Sequence, residues 1–328
     1  MRKLASVQKI LSLSPIEGAD KIELARVLGW NVVVEKDKYK VGEMIVYCEI
    51  DSVLPKREEF IFLEPRGMRI RTIKLRGQVS QGICFPLSVL PENLNIEEDM
   101  DVTFELGVIK YEPPIPANLA GRVKGNFPSF IPKTDETRVQ TMQKELNKYV
   151  GHSCYITEKL DGSSATFYIK DGSFGVCSRN LDILESEDNS FWKVARELNI
   201  EEKLKQLNGN YAFQGELIGE GVQKNKYGLK GQTVRFFNIF DIDKFEYFSY
   251  DNMVKTYNEL ELQTVPIVDD NYILVNDIDT LVNLSIDKSK LASIQREGIV
   301  IRLKELQNSN LISFKSINPK FLLAYGDE

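Results

Sequence analysis

The sequence of 328 residues predicts an α+β protein in which a small β-barrel precedes a larger domain of mainly antiparallel sheets with flanking helices. Three observations favour this fold class. Short strand-like segments fill about the first 110 residues, a stretch rich in proline and glycine follows, and strand patterns then recur between helical ones. The length is large for one hydrophobic core and suits two domains.

The N-terminal segments show the patterns of short strands. Some alternate polar and apolar side chains, and others are rich in strand-forming residues between turn or charged flanks. The segments are 21–28, 31–34, 43–50, 69–76 and 82–87. About five strands in about 100 residues predict a closed barrel of the OB type, to which we assign residues 1–112.

The stretch from Tyr111 to Pro132 is predicted to connect two domains, with the linker at 113–130. Its helix- and strand-breaking residues are Pro113, Pro114, Pro116, Gly121, Gly125, Pro128 and Pro132. We assign residues 131–328 to the second domain, where strands recur from Tyr155 onward. Helical patterns are predicted near 137–146, at 190–207 and at 250–262.

Composition excludes several classes of protein. The four cysteines are scattered and His152 is the single histidine, so we expect no zinc site and reduced thiols in an intracellular, cytoplasmic or nuclear protein. No stretch approaches the roughly 20 apolar residues that span a bilayer, and no secretory signal is recognised. The net charge of −6 argues against tight non-specific DNA binding, although phosphate contacts depend on where the cations lie.

Residues 158–164, Glu-Lys-Leu-Asp-Gly-Ser-Ser, place Lys159 two positions before an Asp-Gly turn. A lysine attacks phosphorus only as the neutral amine, which is about 0.1% of the population or less at pH 7 for an ordinary lysine. A metal held by nearby carboxylates is the natural source of the positive charge that would lower its pKa. Taken alone, a solvated lysine before a hairpin turn is the ordinary alternative.

Further fragments downstream each have a plausible role and an ordinary alternative. Arg179 is suited to a phosphate or ribose, and Glu216 lies in an apolar strand where a carboxylate needs a partner. Strict alternation in 235–242 predicts Phe236 on one face with Asn238 and Phe240, and Phe237 on the other with Ile239 and Asp241. Glu297 begins another apolar strand and Lys315 lies within the last one. The ordinary alternative for the charged residues is a position on an exposed strand face. For the phenylalanines it is a position in the hydrophobic core.

In this order the fragments resemble the covalent nucleotidyltransferases, the superfamily of ATP-dependent DNA and RNA ligases and messenger-RNA capping enzymes. The resemblance covers about residues 131–328. Residues 220–228 look like RNA ligases that seal nicks in duplexes, and a barrel that precedes the transferase domain is similar to the RNA ligases of Naegleria and Deinococcus type. One departure concerns the last motif, where such ligases often have Lys-x-Lys and this chain has Lys315-Ser-Ile317. Either one lysine suffices or Lys320 contributes.

The resemblance implies an ATP-dependent RNA ligase that joins 3′-OH and 5′-phosphate ends through a covalent lysyl-AMP, with RNA or an RNA-containing duplex as partner, and we expect a monomer. Lys159 would be the nucleophile, and ATP and Mg²⁺ or Mn²⁺ the implied cofactors. The implied roles of the others are metal binding for Asp161, Glu216 and Glu297, adenine stacking for Phe237, an adenine N6 contact for Glu158, ribose or substrate phosphate for Arg179, the α-phosphate for Lys315 and the β- and γ-phosphates for Arg138.

The densest basic run of the chain lies in the predicted barrel. Its members are Arg66, Arg69, Arg71, Lys74 and Arg76. We expect Arg69 and Arg71 to share one strand face, as do Lys74 and Arg76, and to contact a nucleic-acid backbone. A solvated edge strand is the alternative.

Other functions remain open on sequence grounds. A DNA ligase or a capping guanylyltransferase would use the same motifs, and a decayed transferase that only binds RNA is the non-enzymatic alternative. The presence of the lysine, all three carboxylates and Lys315 argues against decay, because the chemistry would need each of them.

Overall fold

The computed structural model describes residues 3–111, 122–308 and 310–326. The chain divides into two compact units. The first comprises residues 1–114, 139–143 and 319–328, and the second comprises residues 115–138 and 144–318.

The first unit is built from short, antiparallel strands. They are β1 (Ala5–Lys9), β2 (Ser12–Pro15), β3 (Ile22–Val27), β4 (Trp30–Glu35), β5 (Met44–Cys48), β6 (Ser52–Val53), β7 (Ile73–Leu75), β8 (Gln78–Ser80), β9 (Ile83–Phe85) and β10 (Ile109–Lys110). They form sheets in the orders β1-β5-β9, β2-β3-β4, β6-β10 and β7-β8. Trp30, Ile45, Tyr47 and Phe60 are fully buried at its centre.

The predicted strand at 69–76 is wrong in extent. Only Ile73–Leu75 forms a strand, β7, while Arg69 makes an isolated bridge to Val53 and Arg76 lies in the turn with a φ of 46°. A 3-10 helix, Glu58–Arg66, precedes this region and ends at Gly67, whose positive φ of 66° suits glycine. The barrel therefore contains more and shorter strands than the sequence predicted.

The second unit contains two larger sheets. Its strands are β11 (Val123–Asn126), β12 (Thr137–Arg138), β13 (Ser153–Lys159), β14 (Ser163–Lys170), β15 (Ser173–Cys177), β16 (Leu181–Ile183), β17 (Tyr211–Gly219), β18 (Gln232–Asp241), β19 (Glu246–Tyr247), β20 (Ile267–Ile273), β21 (Gly298–Leu303) and β22 (Ser313–Ile317). The seven-stranded sheet has the order β11-β16-β15-β14-β17-β18-β19. The five-stranded sheet has the order β12-β22-β21-β13-β20 and is antiparallel except for the parallel pair β12–β22.

The chain also forms six described α-helices, some of which the sequence predicted. They are α1 (Gln143–Tyr149), α2 (Ser190–Glu197), α3 (Ile200–Lys205), α4 (Tyr250–Glu259), α5 (Ile278–Ser285) and α6 (Pro319–Tyr325), the last of which groups with the first unit. The predicted helix at 190–207 is two helices, because Asn199 adopts a left-handed conformation between them. The one predicted near 137–146 starts later, since Thr137 and Arg138 pair with β22, and α5 was not predicted.

Part of the predicted linker forms regular secondary structure. Residues 113–121 fall outside the described residues, but Val123–Asn126 forms β11 and pairs with β16. This part of the linker is therefore a strand at the edge of the seven-stranded sheet. The register with β16 shifts between Val123 and Gly125, as is common where a glycine lies within a strand.

A β-bulge interrupts β18 at Phe237. Gln214 of β17 pairs with Asn238, and the next residue, Gly215, pairs with Phe236, so that Phe237 is the extra residue. Phe236 consequently packs in the same core as Ile239, whereas Phe240 packs in a different cluster with Tyr168. The strict alternation predicted for 235–242 is therefore wrong, because a bulge shifts the side-chain period by one residue.

The four cysteines, Cys48, Cys84, Cys154 and Cys177, are buried free thiols. Burial raises the pKa of each of these thiols. None of the described helices has the length and apolarity needed to cross a bilayer.

Candidate active site

One face of the five-stranded sheet carries several of the predicted site residues. Thr157, Val300 and Lys315 are register partners on β13, β21 and β22, and Arg138 is the partner of Lys315 on β12. Register partners point to the same face of a sheet, and so does Lys159, two residues after Thr157. Pairing thus aligns the predicted nucleophile with two predicted phosphate-binding cations.

Lys159 ends β13 and contacts the predicted metal ligand Glu297 directly. Its Nζ lies 2.5 Å from Glu297 Oε1, and the side chains are 26% and 16% exposed. Burial by itself lowers the pKa of Lys159, but the charges of Glu297, Glu216 and Asp161 and the hydrogen bond to Glu297 together raise it above its ordinary value. These carboxylates on their own therefore hold the lysine in its non-nucleophilic form.

Asp161 forms a nearly buried ion pair that the sequence did not predict. Lys226 Nζ donates to its Oδ2 at 2.5 Å, and the two side chains are 7% and 10% exposed. The backbone N–H of Asp161 also donates to the Tyr227 hydroxyl at 2.7 Å. Burial and the charge of Glu297 nevertheless raise the pKa of Asp161 to about 6, against the opposing effect of Lys226.

Glycines beside the three carboxylates allow strands to approach closely. A Cβ on Gly162 would lie 2.3 Å from the Leu217 carbonyl oxygen, and one on Gly298 would lie 2.3 Å from that of Ser316. Gly215, beside Glu216, is similarly crowded by the Arg235 carbonyl oxygen at 2.7 Å. The pairs Asp-Gly, Gly-Glu and Glu-Gly in the motifs therefore combine a charged ligand with the backbone contact that positions it.

The donor set fits a hard divalent cation. Burial is the main cause that raises the pKa of Glu216 to about 8, with the charges of Glu297 and Asp161 adding to it, and Glu297 Oε2 is buried without a hydrogen-bond partner. Crowded carboxylates with an unsatisfied oxygen are suited to Mg²⁺ or Mn²⁺. Among the described residues, however, no three such side chains are already grouped as ligands of one ion. The metal role of Asp161, Glu216 and Glu297 stays a prediction.

Glu158 is almost completely buried at 1% exposure. Its Oε2 accepts the backbone N–H of Lys290 at 2.8 Å, while Oε1 is buried without a hydrogen-bond partner. Burial is the main cause that raises the pKa of this carboxyl, and the hydrogen bonds oppose it. This unsatisfied oxygen could therefore accept a hydrogen bond from the amine group of a base.

Phe237, the bulged residue, is half-buried and packs against a cluster that contains Leu160 and Tyr227. These two residues directly follow Lys159 and Lys226 in the sequence. The guanidinium of Arg302 lies 5.5 Å from its ring centroid. Arg302 is buried and also donates to Thr157 Oγ1 at 3.2 Å and to Glu136 Oε1 at 3.1 Å. It thus joins the aromatic ring to the strand of Lys159 and to the residues just before β12.

Arg179 lies between β15 and β16 and is half-exposed. Its Nη2 lies 2.6 Å from Asp135 Oδ1, in a surface ion pair. Lys315 is half-buried within β22, and Lys320 is exposed in α6. Arg138 is buried at 7% exposure. The binding roles implied for these residues stay predictions.

The structure separates Arg69 from the other three predicted nucleic-acid contacts. Arg69 is 4% exposed, stacks on the Tyr111 ring at 3.7 Å and pairs with Asp51 at 3.1 Å. Because its guanidinium is enclosed by these contacts, the prediction that Arg69 shares an exposed face with Arg71 is wrong. Arg71, Lys74 and Arg76 are exposed around the β7–β8 hairpin and stay predicted contacts.

Sequence reasoning gave no role to Lys226, Tyr227 or Arg302, which the structure brings to this site. Lys226 and Tyr227 lie within residues 220–228, whose resemblance to nick-sealing RNA ligases belongs to the segment as a whole, and Arg302 ends the fragment that Glu297 begins. A charged residue in a strand that is otherwise entirely apolar was a usable signal for Arg302. Lys226 gave no comparable signal, because lysines are frequent in exposed loops.

Comparison with known proteins adds to this geometry. A family model described as an OB-fold domain matches residues 4–87, and one described as RNA ligase matches residues 152–317. No curated protein matches the chain.

Several similar solved structures are those of Naegleria gruberi RNA ligase. An apo mutant is 37% identical, with 98% of this chain and 97% of that chain covered and a TM-score of 0.91. A mutant with ATP and Mn is 37% identical over 99% of this chain and 100% of that chain, with a TM-score of 0.92. A structure with pyrophosphate is 37% identical over 98% of each chain, with a TM-score of 0.91. With its OB-fold domain and its ligase domain both matched, this chain belongs to the RNA ligase family.

Proposed function

We propose that this chain is an ATP-dependent RNA ligase that forms a covalent adduct between Lys159 and AMP. The observation that carries the proposal is the position of Lys159, at the end of β13 against Glu297 and within the field of Glu216 and Asp161. The similar Naegleria ligase has been solved with ATP and Mn, with AMP and Mn, and with pyrophosphate. ATP is the substrate of lysine adenylylation, pyrophosphate is its leaving group, and AMP is the group that is transferred.

In the first step the amine of Lys159, once it has lost its proton, attacks the α-phosphorus of ATP. A P–N bond forms, the bond to the β-phosphate oxygen breaks, and pyrophosphate leaves. A divalent ion would be held by Asp161, Glu216 and Glu297. When bound, the ion supplies positive charge that offsets the negative charge of these carboxylates, which raises the pKa of Lys159. Glu297 contacts the amine directly and also orients it.

The other residues of the site position the nucleotide. Phe237 would stack on adenine, and the unsatisfied Oε1 of Glu158 would accept from the N6 amine. Lys315 and Arg138, aligned across β22 and β12, would contact the phosphates, and Arg179 the ribose or the substrate phosphate. In-line displacement at phosphorus depends mainly on such positioning and on charge stabilisation.

The adenylyl group then passes from Lys159 to a 5′-phosphate, which restores the amine, and a 3′-hydroxyl displaces AMP to close the phosphodiester. We propose a nick in an RNA-containing duplex as the substrate, because residues 220–228 resemble ligases of that type, and a monomer as the working form.

Labelling with ATP that carries the label on its α-phosphate tests the proposal. The wild type should form an acid-labile, alkali-stable adduct in the presence of a divalent ion, as a phosphoramidate does, and Lys159→Ala should form none. Lys193→Ala is the matched control, since Lys193 is an exposed lysine on α2. Full labelling of Lys159→Ala would rule out Lys159 as the nucleophile, and labelling by GTP instead of ATP would indicate a capping enzyme.

A panel of nicked duplexes tests the substrate. Sealing should require a 3′-OH RNA end at the break. Equal joining of nicks made entirely of DNA would identify a DNA ligase, and RNA binding without any adduct would identify a decayed transferase.

A further inference from the structure

The loop between β17 and β18, residues 220–231, encloses the start of the Asp161–Gly162 turn through three side chains. Lys226 Nζ donates to Asp161 Oδ2 at 2.5 Å, and the Tyr227 hydroxyl accepts the Asp161 N–H at 2.7 Å. Gln223 Nε2 donates to the Gly162 carbonyl at 3.4 Å. The side chains of this one loop therefore determine where the Asp161 carboxylate lies.

This loop maintains an unfavourable backbone to make those contacts. Gln223, Lys224 and Asn225 are consecutive non-glycine residues with φ values of 43°, 59° and 47°. The Asn225 side chain holds the turn: its Nδ2 donates to the Leu229 carbonyl at 2.8 Å, and its Oδ1 accepts the Leu229 N–H at 3.1 Å. Left-handed non-glycine residues persist where the surrounding structure fixes them, and they concentrate at functional sites.

Two lysines of the site already form ion pairs with two of its three carboxylates. Lys226 pairs with Asp161, and Lys159 pairs with Glu297, so two of the three carboxylates each have an ammonium group on one oxygen. Lys226 and Asp161 are both almost completely shielded from solvent, which weakens screening of their interaction. A divalent cation that approaches Asp161 is repelled by the charge of this ammonium.

We propose that Lys226 is a positioning residue that acts as the counter-cation of Asp161 in the nucleotide-free enzyme. It holds the carboxylate in its orientation towards the site, and its charge opposes the binding of the divalent ion until the ion displaces it. The free site consequently binds the ion more weakly than three unpaired carboxylates would. The inference rests on the proposed function, because the ion concerned is the one used in adenylylation.

Titration of the nucleotide-free protein with Mn²⁺, followed by the electron paramagnetic resonance of free Mn²⁺, tests this role. Lys226→Met keeps the length of the side chain and removes its charge, so it should tighten Mn²⁺ binding by about tenfold or more. Lys226→Arg keeps the charge and should bind Mn²⁺ as the wild type does. Lys224→Met is the matched control, because Lys224 is an exposed lysine of the same loop, and it should also leave the affinity unchanged.

Unchanged or weaker Mn²⁺ binding by a folded Lys226→Met protein would overturn the inference. If Lys226→Met does not fold, Lys226→Gln gives the same comparison with a polar side chain. The outcome is separate from that of the proposed function: a wild type that labels with ATP while Lys226→Met binds Mn²⁺ normally refutes only the role of Lys226. A wild type that never labels refutes the ligase proposal itself.

Discussion

At the scale of single residues, the reactivity of Lys159 depends on the balance of charge around one nitrogen atom. Burial lowers its pKa, but Glu297, Glu216 and Asp161 outweigh that effect and raise it. A lysine whose pKa is raised gains neutral amine only at more alkaline pH. The carboxylates therefore disfavour the neutral amine of Lys159 when no ion is bound. Their oxygens are also suited to bind the divalent ion that would favour the neutral amine.

We predict that Mg²⁺ shifts the pH dependence of adduct formation. At limiting Mg²⁺ the rate of lysyl-AMP formation should rise with pH until alkaline conditions, because the neutral amine is scarce below the raised pKa. At saturating Mg²⁺ the pH of the half-maximal rate should fall, since the bound dication opposes the carboxylates. Single-turnover labelling across a pH series measures both midpoints, and identical midpoints would contradict the prediction.

Glu216 should destabilise the metal-free protein as the pH rises. Its pKa is raised in the folded state from 4.5 to about 8, chiefly by burial. A carboxyl whose folded pKa is raised contributes stability below its unfolded pKa and loses it as the pH rises through the folded pKa. In EDTA, Glu216→Gln should therefore melt near the wild-type temperature at about pH 5 and a few degrees above it at about pH 8.5.

Glu220→Gln is the control for this comparison, because Glu220 is an exposed carboxylate just after the same strand. Its melting difference from the wild type should not change over this pH range. A Glu216→Gln protein that melts below the wild type at both pH values would contradict the assignment. The expected gain in stability would come with the loss of a predicted metal ligand, a trade-off that is common at active sites.

The residue types of the site followed from the sequence better than their contacts did. Lys159 and Glu297 could be assigned as nucleophile and ligand because the ordered set of motifs resembles the covalent nucleotidyltransferases. The direct bond between them joins residues 138 positions apart, and only the pairing of β13 with β21 creates it. The prediction for Arg69 was wrong for the same reason, since its partners Asp51 and Tyr111 come from other segments.

At the scale of the elements, the close approach of β21 and β22 is needed to place Glu297 and Lys315. Gly298 makes it possible, because a Cβ there would lie 2.3 Å from the Ser316 carbonyl oxygen and 2.9 Å from the Ile317 Cα. Backbone atoms cannot turn away as a flexible side chain can. The strands would have to separate to admit even one methyl group.

Gly298→Ala should therefore destabilise the protein by about 2 kcal/mol or more, the upper range for overpacking, and reduce adduct formation. Gly125→Ala is the matched control: Gly125 is in the edge strand β11, and a Cβ there meets nothing within 4 Å. Chemical denaturation and ATP labelling of both variants measure the effects. Equal stability of the two variants would show that β21 and β22 have room to adjust.

Element types were predictable where the pattern was long and local. The helical pattern at 250–262 corresponds to α4, and 43–50 corresponds to β5. The bulge at Phe237 was not predictable, because an extra residue in β18 leaves no mark in the alternation of a strand that is buried on both faces. Strand β11 was hidden by the prolines around it, as it is stabilised by β16, more than 50 residues later.

At the scale of the whole molecule, the charge is unevenly distributed. The net charge is −6, yet Arg71, Lys74 and Arg76 lie exposed around one hairpin of the OB-fold domain. Contacts with phosphates depend on such local groups rather than on net charge. The order of the two domains and their fold class followed from the sequence, because composition changes sharply near residue 113.

Replacement of Arg71, Lys74 and Arg76 by Ala should weaken RNA binding uniformly across sequences and lower the salt dependence of binding by about one unit of slope per lost phosphate contact. Adduct formation at Lys159 should persist. The triple variant of Lys36, Lys38 and Lys40 removes the same charge from another exposed part of this domain. Binding measured at several salt concentrations compares the two, and equal losses would show that only total charge matters.

Each unit contains two buried thiols whose chemical modification would report when that unit opens. Cys48 and Cys84 belong to the first unit, and Cys154 and Cys177 to the second. Reagents that modify cysteine require an exposed thiolate, and burial opposes both exposure and ionisation. Two reaction phases, assigned by peptide mass, would thus time the opening of the OB-fold domain and of the ligase domain separately, in a single sample and without any introduced label.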